Sequence, residues 1–284
     1  MKILESNAQL QAWRDAIPDT EEVVLVPTMG ALHRGHRSLL EFAAECASTV
    51  MVSIFINPLQ FERKDDLLAY PKTLDADLAM LKKMGVAAVY RPSASTMYPN
   101  GFQVRIAAGP SALCFEGAAR PGHFDGMLTV VHKLFQRCRP QHAVFGQKDA
   151  QQLFLVRRMV EDLDMPLQIH AAPTWREQDG LAFSSRNVHL DDIARQEALV
   201  LHRALIGAKA AFDAGCTDPR ALEQSMRTCF EQSAAVLAYA DVISDTDFES
   251  AQLGASGNWR AVIAARLDGV HLLDNLELGQ APSV

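Results

Sequence analysis

The sequence lacks the cysteine pattern of a disulfide-rich or zinc-binding protein. It contains five cysteines, an odd number, and no two of them form a Cys-x-x-Cys pair. Disulfide frameworks use paired cysteines, and structural zinc sites use ligands at such short spacings. We therefore expect reduced thiols and a cytoplasmic location.

Positive charge and long apolar runs are also scarce. The 284 residues include 27 Lys and Arg against 34 Asp and Glu, which gives a formal net charge of −7. No global basic field exists to hold nucleic acid or an anionic membrane. The longest uncharged stretch, 46–61, contains Ser, Thr, Asn, Pro and Gln, and the first residues lack the apolar core of a signal peptide. We expect a globular protein that binds neither nucleic acid nor membrane.

What the sequence does contain, over roughly its first 170 residues, is an alternation of short apolar runs and amphipathic segments. The runs predict buried strands at Val23–Val26, Val50–Ile56, Ala87–Tyr90, Ala143–Phe145 and Gln168–Ala171. The segments between them predict helices at Ser38–Ala47, Thr73–Met84, Thr129–Gln136 and Ala150–Leu163. This order predicts an α/β fold with a doubly wound, Rossmann-like parallel sheet, which binds ligands beyond the carboxyl ends of its strands.

After Asn187 the pattern changes to helices followed by strands. The predicted elements are helices at Asp191–Ala214 and Asp218–Ala234, then strands at Tyr239–Ser244, Trp259–Arg266 and Val270–Leu273. Helices followed by strands are typical of an α+β unit. We therefore predict two domains, a larger one at 1–174 and a smaller one at 175–284.

The segment Pro27–His36 follows the first predicted strand and contains two histidines. Gly30 permits a sharp turn out of the sheet, and the three-residue spacing of His33 and His36 places both on one side of an opening helical turn. Free N–H groups and the positive end of a helix favour an anion, while Gly35 lets a flat ring or a ribose approach. The segment predicts a phosphate site. The alternative is two surface histidines beside a turn glycine.

A second segment of this kind follows the fourth predicted strand. Gly146 forms a turn, and Lys148 is a point charge that could reach triphosphate oxygens. Asp149 is explained equally well as a helix cap. Gln152 lies one turn into the next helix and faces either a cleft or solvent.

The third segment lies at the proposed domain junction. Ser184, Ser185 and Arg186 make a compact set of donors for phosphate, although such a run alone is ordinary loop material. Three phosphate-suited segments in one α/β chain are much less expected by chance.

Two further segments suit a small polar substrate. Gln60 follows the second predicted strand and could hydrogen-bond such a molecule, whereas turn chemistry accounts equally well for Asn57 before a proline. The run Arg120–Phe124 predicts a rigid loop near the mouth of the cleft, in which His123 is more often structural than catalytic.

These motifs occur together and in a fixed order. They are PTMGALHRGH, VSIFINPLQF, YPKTLDAD, MYPNG, FEGAARPGHFDG, FGQKDAQQL, REQDGLAFSSRN and LLDN. As a set they closely resemble the pantoate–β-alanine ligase family, the pantothenate synthetases, from about residue 20 to the end. The HxGH motif alone marks only the wider nucleotidylyltransferase superfamily.

The resemblance implies a two-step ligation. ATP and pantoate, with Mg²⁺, would give pantoyl adenylate and pyrophosphate, and β-alanine would then displace AMP to give pantothenate. The resemblance also implies a homodimer, ATP and pantoate binding by the larger domain, and a lid role for the smaller one. It implies no particular metal ligands.

The resemblance also assigns roles to individual residues. The implied catalytic residues are His33, His36, Lys148 and Arg186. The implied ATP-binding residues are Met29, Gly30, His33, Gly35, His36, Gly146, Gln147, Lys148, Asp149, Trp175, Phe183, Ser184, Ser185 and Arg186. The implied pantoate and β-alanine residues are Asn57, Gln60, Tyr70, Arg120 and Gln152.

Three positions depart from the family's pattern. Gln147 stands where Glu is more usual, Trp175 replaces a smaller apolar residue near the adenine, and His271 replaces an Arg.

Two other functions remain open at this point. One is an adenylyltransferase that moves AMP onto a different acceptor, against which Gln60 and the Arg120–Phe124 run favour pantoate. The other is a nucleotide-sensing module that binds ATP without turnover, against which the three phosphate-suited segments together argue.

Overall fold

A computed structural model describes residues 1–61, 67–68 and 70–281. The chain forms two compact units. The first comprises residues 1–147 and 151–173, and the second comprises residues 148–150 and 174–284. The functions assigned to the two predicted domains stay predictions.

The first unit is built on a six-stranded sheet in which all pairings are parallel. Its strands are β1 (Lys2–Leu4), β2 (Val23–Thr28), β3 (Thr49–Ile54), β4 (Ala88–Tyr90), β5 (His142–Gly146) and β6 (Gln168–Ala172). Their order across the sheet is β1-β4-β3-β2-β5-β6. The chain runs outward from β2 through β3 to β4 and then returns to place β5 beside β2. The boundary between β2 and β5 is therefore the switch point of the topology, where open α/β sheets bind ligands.

Helices flank this sheet. They are α1 (Asn7–Asp15), α2 (Arg34–Cys46), α3 (Leu74–Lys83), α4 (Ala94–Met97), α5 (Phe115–Ala119), α6 (His123–Cys138) and α7 (Ala150–Asp162). Short 3₁₀ turns lie at Pro58–Gln60 and Pro110–Ala112.

The central strands are apolar on both faces because both faces are covered. Successive side chains of a strand point to opposite sides. Accordingly Leu25 and Met51 belong to one buried cluster of the first unit, and Val24 and Val52 belong to another. The near-continuous apolar runs of β2 and β3 thus follow from their central place in the sheet.

Several predicted element bounds in this unit are wrong. The helix predicted from Ser38 begins at Arg34, because His33 caps it. The predicted loop at Arg120–Phe124 ends at Gly122, whose φ of +76° ends the turn, and α6 then starts at His123 rather than Thr129. The elements β1 and α1 were not predicted. The capping box of α1, in which the side chains of Ser6 and Gln9 bond each other's backbone, was the available signal.

The second unit has three antiparallel strands in the order β7-β8-β9. They are β7 (Val236–Ser244), β8 (Gly257–Leu267) and β9 (Val270–Ala281), and they follow the helices α8 (Asp192–Asp213) and α9 (Pro219–Thr228). A 3₁₀ turn lies at Ser185–His189. The core of this unit joins Leu205 and Leu222 of the helices to Trp259 and Ile263 of β8. The predicted fold class, a doubly wound parallel sheet with a smaller α+β unit, is confirmed.

Two predicted bounds in the second unit are also wrong. The helix predicted to reach Ala234 ends at Thr228. The strand predicted at Val270–Leu273 continues to Ala281, through Asp274 and Asn275, which are buried although polar. Among the described residues, no helix has the length and apolar character needed to cross a lipid bilayer.

Candidate active site

The turn after β2 is held by a buried carboxylate. Gly30 and Ala31 both have positive φ, +86° and +52°, so the chain leaves the sheet sharply. Asp77 of α3, only 2% exposed, accepts hydrogen bonds from Ala31 N at 3.0 Å and Leu32 N at 2.9 Å. A Cβ at Gly30 would lie 3.2 Å from Asp77 Oδ2. Sequence reasoning missed Asp77, although it lies in the YPKTLDAD motif.

The two histidines of the HxGH motif form the cap of α2. Gly35 N–H donates to His33 Nδ1 at 3.1 Å, and His33 N–H donates to His36 Nδ1 at 3.3 Å. The two ring centroids lie 4.0 Å apart. Since both Nδ1 atoms accept, the neutral rings carry their protons on Nε2. The backbone therefore sets the tautomer of each histidine and makes each Nε2–H a donor.

Burial also keeps the second histidine uncharged. Desolvation lowers the pKa of His36 to about 4, from an ordinary value of 6.5. At neutral pH the ring thus contributes an N–H dipole rather than a full charge. Together with the N-terminus of α2, this dipole suits an anionic ligand.

The turn after β3 presents an amide that is held from two sides. Asn57 Nδ2 donates to Gln60 Oε1 at 3.0 Å and to Gly126 O at 2.9 Å. Asn57 Oδ1 accepts from Leu59 N at 3.2 Å and from the Tyr98 hydroxyl at 2.7 Å. All four hydrogen-bonding positions of the Asn57 amide are thus used within the protein. Its predicted contact with substrate would compete with these bonds, and that contact stays a prediction.

The main chain of Gln60 is also fixed by hydrogen bonds. The Gln60 carbonyl accepts from His123 Nδ1 at 2.8 Å and from Arg120 Nη2 at 3.4 Å. Gly126 allows α6 to approach closely, because a Cβ there would lie 2.2 Å from Leu59 O. His123 therefore anchors the main chain of Gln60.

Gln60 also brings two predicted segments together. Its Nε2 donates to Met29 Sδ at 2.9 Å, which joins the turn after β3 to the turn after β2. Tyr70, by contrast, makes an edge-on ring contact with Phe61, with the centroids 6.0 Å apart.

The segment after β5 starts at the switch point. Gly146 ends the strand, and Gln147 N–H donates to Ala172 O of β6 at 2.9 Å. In α7 it is the buried Gln151, rather than the predicted Gln152, that bonds its surroundings, at Ser111 O and Cys114 O. Gln152 makes no side-chain hydrogen bond within the described part of the chain.

Lys148 and Asp149 belong to the second unit. Lys148 Nζ lies 3.8 Å from Asp149 Oδ1, and the Lys148 carbonyl accepts from Asn275 Nδ2 at 2.8 Å. Lys148 and Ser184 line the same small pocket, together with Asn187 and Asp274. Sequence reasoning missed Asn275, which follows Asp274 in the LLDN motif.

The remaining predicted residues lie on the segment 175–186. The rings of Trp175 and Phe183 meet edge-on at 5.2 Å, and Phe183 N–H donates to Trp175 O. Ser184 Oγ accepts from Arg186 N at 3.2 Å and so caps the 3₁₀ turn. Within the described ranges, the side chains of Ser185 and Arg186 make no hydrogen bond or ion pair.

A neighbouring arginine already has partners for both of its Nη groups. Arg176 forms a bidentate ion pair with Asp274, at 2.6 and 2.9 Å, and also donates to the Gly180 and Asn275 carbonyls. Arg186 is thus the guanidinium on this segment whose donors are available to a ligand.

The structure therefore groups the predicted residues by unit. Met29, His33, His36, Asn57 and Gln60 come together at one edge of the parallel sheet, whereas Lys148 and Ser184 share a pocket in the second unit. Within residues 1–61, 67–68 and 70–281, no cluster of three His, Cys, Asp or Glu side chains is arranged to hold a metal ion. The roles of the individual residues stay predictions.

A doubly wound sheet whose switch point carries a helix capped by the HxGH histidines defines a class, the nucleotide-dependent α/β transferases and ligases. Comparison with known proteins narrows it. The family model described as pantoate-beta-alanine ligase matches residues 2–277. A pantothenate synthetase from Acidothermus cellulolyticus is 50% identical over 282 residues, which are 98% of this chain and 92% of the relative.

Solved structures agree. A pantoate–β-alanine ligase from Thermus thermophilus superposes with a TM-score of 0.91 at 40% identity, covering 98% of this chain and 100% of that one. A pantoate–β-alanine ligase from Francisella tularensis, solved in complex with β-γ ATP and β-alanine, gives a TM-score of 0.80 at 32% identity and covers 98% of each chain. The chain belongs to the pantoate–β-alanine ligase family. The predicted family and its ATP-dependent ligation of pantoate with β-alanine are confirmed.

Proposed function

We propose that this enzyme makes pantothenate in two steps through pantoyl adenylate, with Mg·ATP as the nucleotide substrate. The observation that carries the proposal is the pair of histidines that caps α2, because their hydrogen bonds leave two Nε2–H donors at the N-terminus of this helix. The ATP and β-alanine bound to the Francisella tularensis relative support the same substrates here. Pantoate is the acid that the family reaction requires.

In the first step, a carboxylate oxygen of pantoate attacks the α-phosphorus of ATP. The bond from this phosphorus to the bridging oxygen breaks, and pyrophosphate leaves. Negative charge builds on the phosphate oxygens, where His33 and His36 donate through Nε2–H while Lys148 and Arg186 supply full positive charge. Ser184 and Ser185 add hydroxyl donors. Mg²⁺ bound to the triphosphate would shield part of its negative charge.

The acid is oriented by the turn after β3. Gln60 donates from Nε2 to an oxygen of pantoate, and Gln152, Tyr70 and Arg120 are proposed to complete the acid site. Catalysis here depends on orientation, since the reacting carboxylate must lie in line with the leaving pyrophosphate.

In the second step, the amine of β-alanine attacks the acyl carbon of the adenylate. The acyl–oxygen bond breaks, AMP leaves with that oxygen, and the amine loses a proton to form the amide of pantothenate. No protein nucleophile is needed, because the mixed anhydride is already activated. Water must be excluded for the same reason.

One assay tests the proposal. The purified chain is incubated with ATP, Mg²⁺, pantoate and β-alanine, and AMP and pantothenate are measured. We expect both products in equal amounts, and pyrophosphate release that needs pantoate but not β-alanine. Pyrophosphate release with phosphopantetheine in place of pantoate would indicate an adenylyltransferase, and ATP binding without turnover would indicate a sensing module.

The proposal extends to the assembly. We propose a homodimer working in the cytoplasm, as the family resemblance suggests. Light scattering on the purified chain would give twice the monomer mass.

A further inference from the structure

The Tyr98 side chain is directed at the acid site although no step of the reaction uses it. Tyr98 lies at the C-terminal end of α4, and its hydroxyl donates to Asn57 Oδ1 at 2.7 Å. The ring packs against Phe102 and Phe55, with centroids 4.9 and 6.0 Å away. Burial raises the pKa of Tyr98 above its ordinary value, so the hydroxyl remains a donor at neutral and mildly alkaline pH.

The hydrogen bond from Tyr98 fixes the orientation of the Asn57 amide, and Asn57 in turn bonds Gln60. Leu59 N–H moves with the same turn, so the anchors from elsewhere are the Tyr98 hydroxyl on the oxygen and the Gly126 carbonyl on the nitrogen. Of the two bonds to Asn57 Oδ1, that from Tyr98 is the shorter, at 2.7 Å against 3.2 Å. With its oxygen held in this way, Asn57 can offer only an N–H to Gln60.

The orientation of the Gln60 amide is therefore fixed. Its Oε1 accepts from Asn57 Nδ2 at 3.0 Å, and its Nε2 is left to donate. The acceptor now bonded to that Nε2 is Met29 Sδ, and a thioether is a weak acceptor that a substrate oxygen can replace. Gln60 is thus arranged to meet an acceptor, such as a carboxylate or hydroxyl oxygen.

We propose that Tyr98 is a positioning residue for pantoate: its hydroxyl holds the Asn57 amide, which turns the Gln60 amide so that Nε2–H faces the acid. The inference rests on the proposed function of the acid site.

The first test compares two tyrosines in the same unit. Tyr98→Phe removes the hydroxyl and keeps the ring, and we expect the KM for pantoate to rise by roughly three- to tenfold with the KM for ATP unchanged. Tyr90→Phe is the matched control. The Tyr90 hydroxyl donates to Asn7 Oδ1 at 2.7 Å and accepts from Arg137, and it makes no hydrogen bond to Asn57 or Gln60 within the described residues, so this variant should leave the pantoate KM unchanged. A pantoate KM that is the same in both variants would overturn the inference.

The second test asks whether Tyr98 acts through Gln60. In a Gln60→Ala background the amide is gone, so Tyr98→Phe should have no further effect on the pantoate KM. An unchanged three- to tenfold effect in that background would show that Tyr98 acts by another route, and the inference would be wrong.

A third variant serves if Tyr98→Phe folds poorly. Asn57→Asp keeps the shape of the side chain but has no N–H to give Gln60 Oε1, and we expect a larger rise in pantoate KM than Tyr98→Phe produces. No rise would contradict the inference. Wild-type enzyme that makes no pantothenate would instead refute the proposed function, so the two failures are distinct.

Discussion

The two units hold their candidate residues in different ways. In the first unit, hydrogen bonds within the protein set the orientation of His33, His36 and Gln60. In the second unit, Lys148 has a carboxylate 3.8 Å away, and the Arg186 side chain has no ion pair within the described residues. The first unit thus supplies oriented dipoles, and the second supplies charge on long, adaptable side chains.

This difference matches the roles that we propose for the two sets of residues. A neutral donor acts only along its N–H bond, so its direction must be set before the substrate arrives. A cation acts in all directions and can adjust to the phosphate it meets. Substitutions in the first unit should therefore be sensitive to geometry, and substitutions in the second should be sensitive to charge.

The largest expected effect is that of His36→Ala. It removes an Nε2–H donor and the acceptor for His33 N–H, and we expect adenylate formation to slow by on the order of 10²–10³-fold. Pantoate-dependent pyrophosphate release measures this rate. Arg37→Ala is the control, because Arg37 is exposed and pairs with Glu41 one turn along the same helix. A wild-type rate for His36→Ala would contradict the site.

Lys148→Ala should slow the same step by on the order of 10²–10³-fold. Lys148→Arg separates charge from shape: it keeps the charge, and we expect its rate to be at least about tenfold higher than that of Lys148→Ala. Lys209→Ala, which disrupts an exposed pair with Asp213 in the same unit, is the control and should leave the rate unchanged. Equal rates for Lys148→Arg and Lys148→Ala would show that shape matters here more than charge.

Gln60→Glu tests the proposed contact between Gln60 and pantoate. A glutamate keeps an oxygen for Asn57 Nδ2 but replaces the Nε2–H donor by a negative charge facing the acid. We expect the pantoate KM to rise by on the order of 10²-fold, with a much smaller change in the ATP KM. Steady-state kinetics with each substrate varied in turn would measure both. A pantoate KM near that of wild type would mean that Gln60 does not face the acid.

The smallest effect concerns pH and stability. Because burial lowers the pKa of His36 to about 4, the unfolded chain takes up this proton first, at its ordinary pKa of 6.5. The stability that neutral His36 contributes is therefore complete above pH 6.5 and is lost as the pH falls from 6.5 toward 4.

We accordingly expect the free energy of unfolding of wild type, relative to His36→Gln, to fall by about 1–2 kcal/mol between about pH 7 and about pH 5. Urea unfolding of both proteins at the two pH values measures it. The same comparison with Arg37→Ala should show no such change, since a guanidinium does not titrate in this range. A constant difference between wild type and His36→Gln would indicate an ordinary His36 pKa.

Sequence reasoning located the central strands of the parallel sheet and the candidate segments that follow them because those features are local in the chain, whereas the roles of the individual residues stay predictions. The apolar runs of β2 and β3 and the segments that follow them stand together in the chain. The partners that orient the site are distant. Asp77 bonds backbone groups 45 and 46 residues away, and Tyr98 bonds a side chain 41 residues away. No spacing rule connects such pairs.

Buried polar residues explain the clearest error of prediction. The pattern of β9 breaks at Asp274 and Asn275, which a sequence reading takes as the end of the strand. In the structure they are inside, bonded to Arg176 and to the Lys148 carbonyl. Polar residues end a predicted strand unless their partners are known, and these partners lie 98 and 127 residues earlier in the chain.

The Arg176–Asp274 pair also constrains the order of events during synthesis. Asp274 is translated 98 residues after its partner, and β9 is the last strand of its sheet. The last strand of the parallel sheet ends at Ala172, so the first unit can fold while the rest is still being made. The second unit carries Arg176 without its counter-ion until the final strand leaves the ribosome. A chain that terminates before Asp274 would thus contain a finished first unit joined to an incomplete second one.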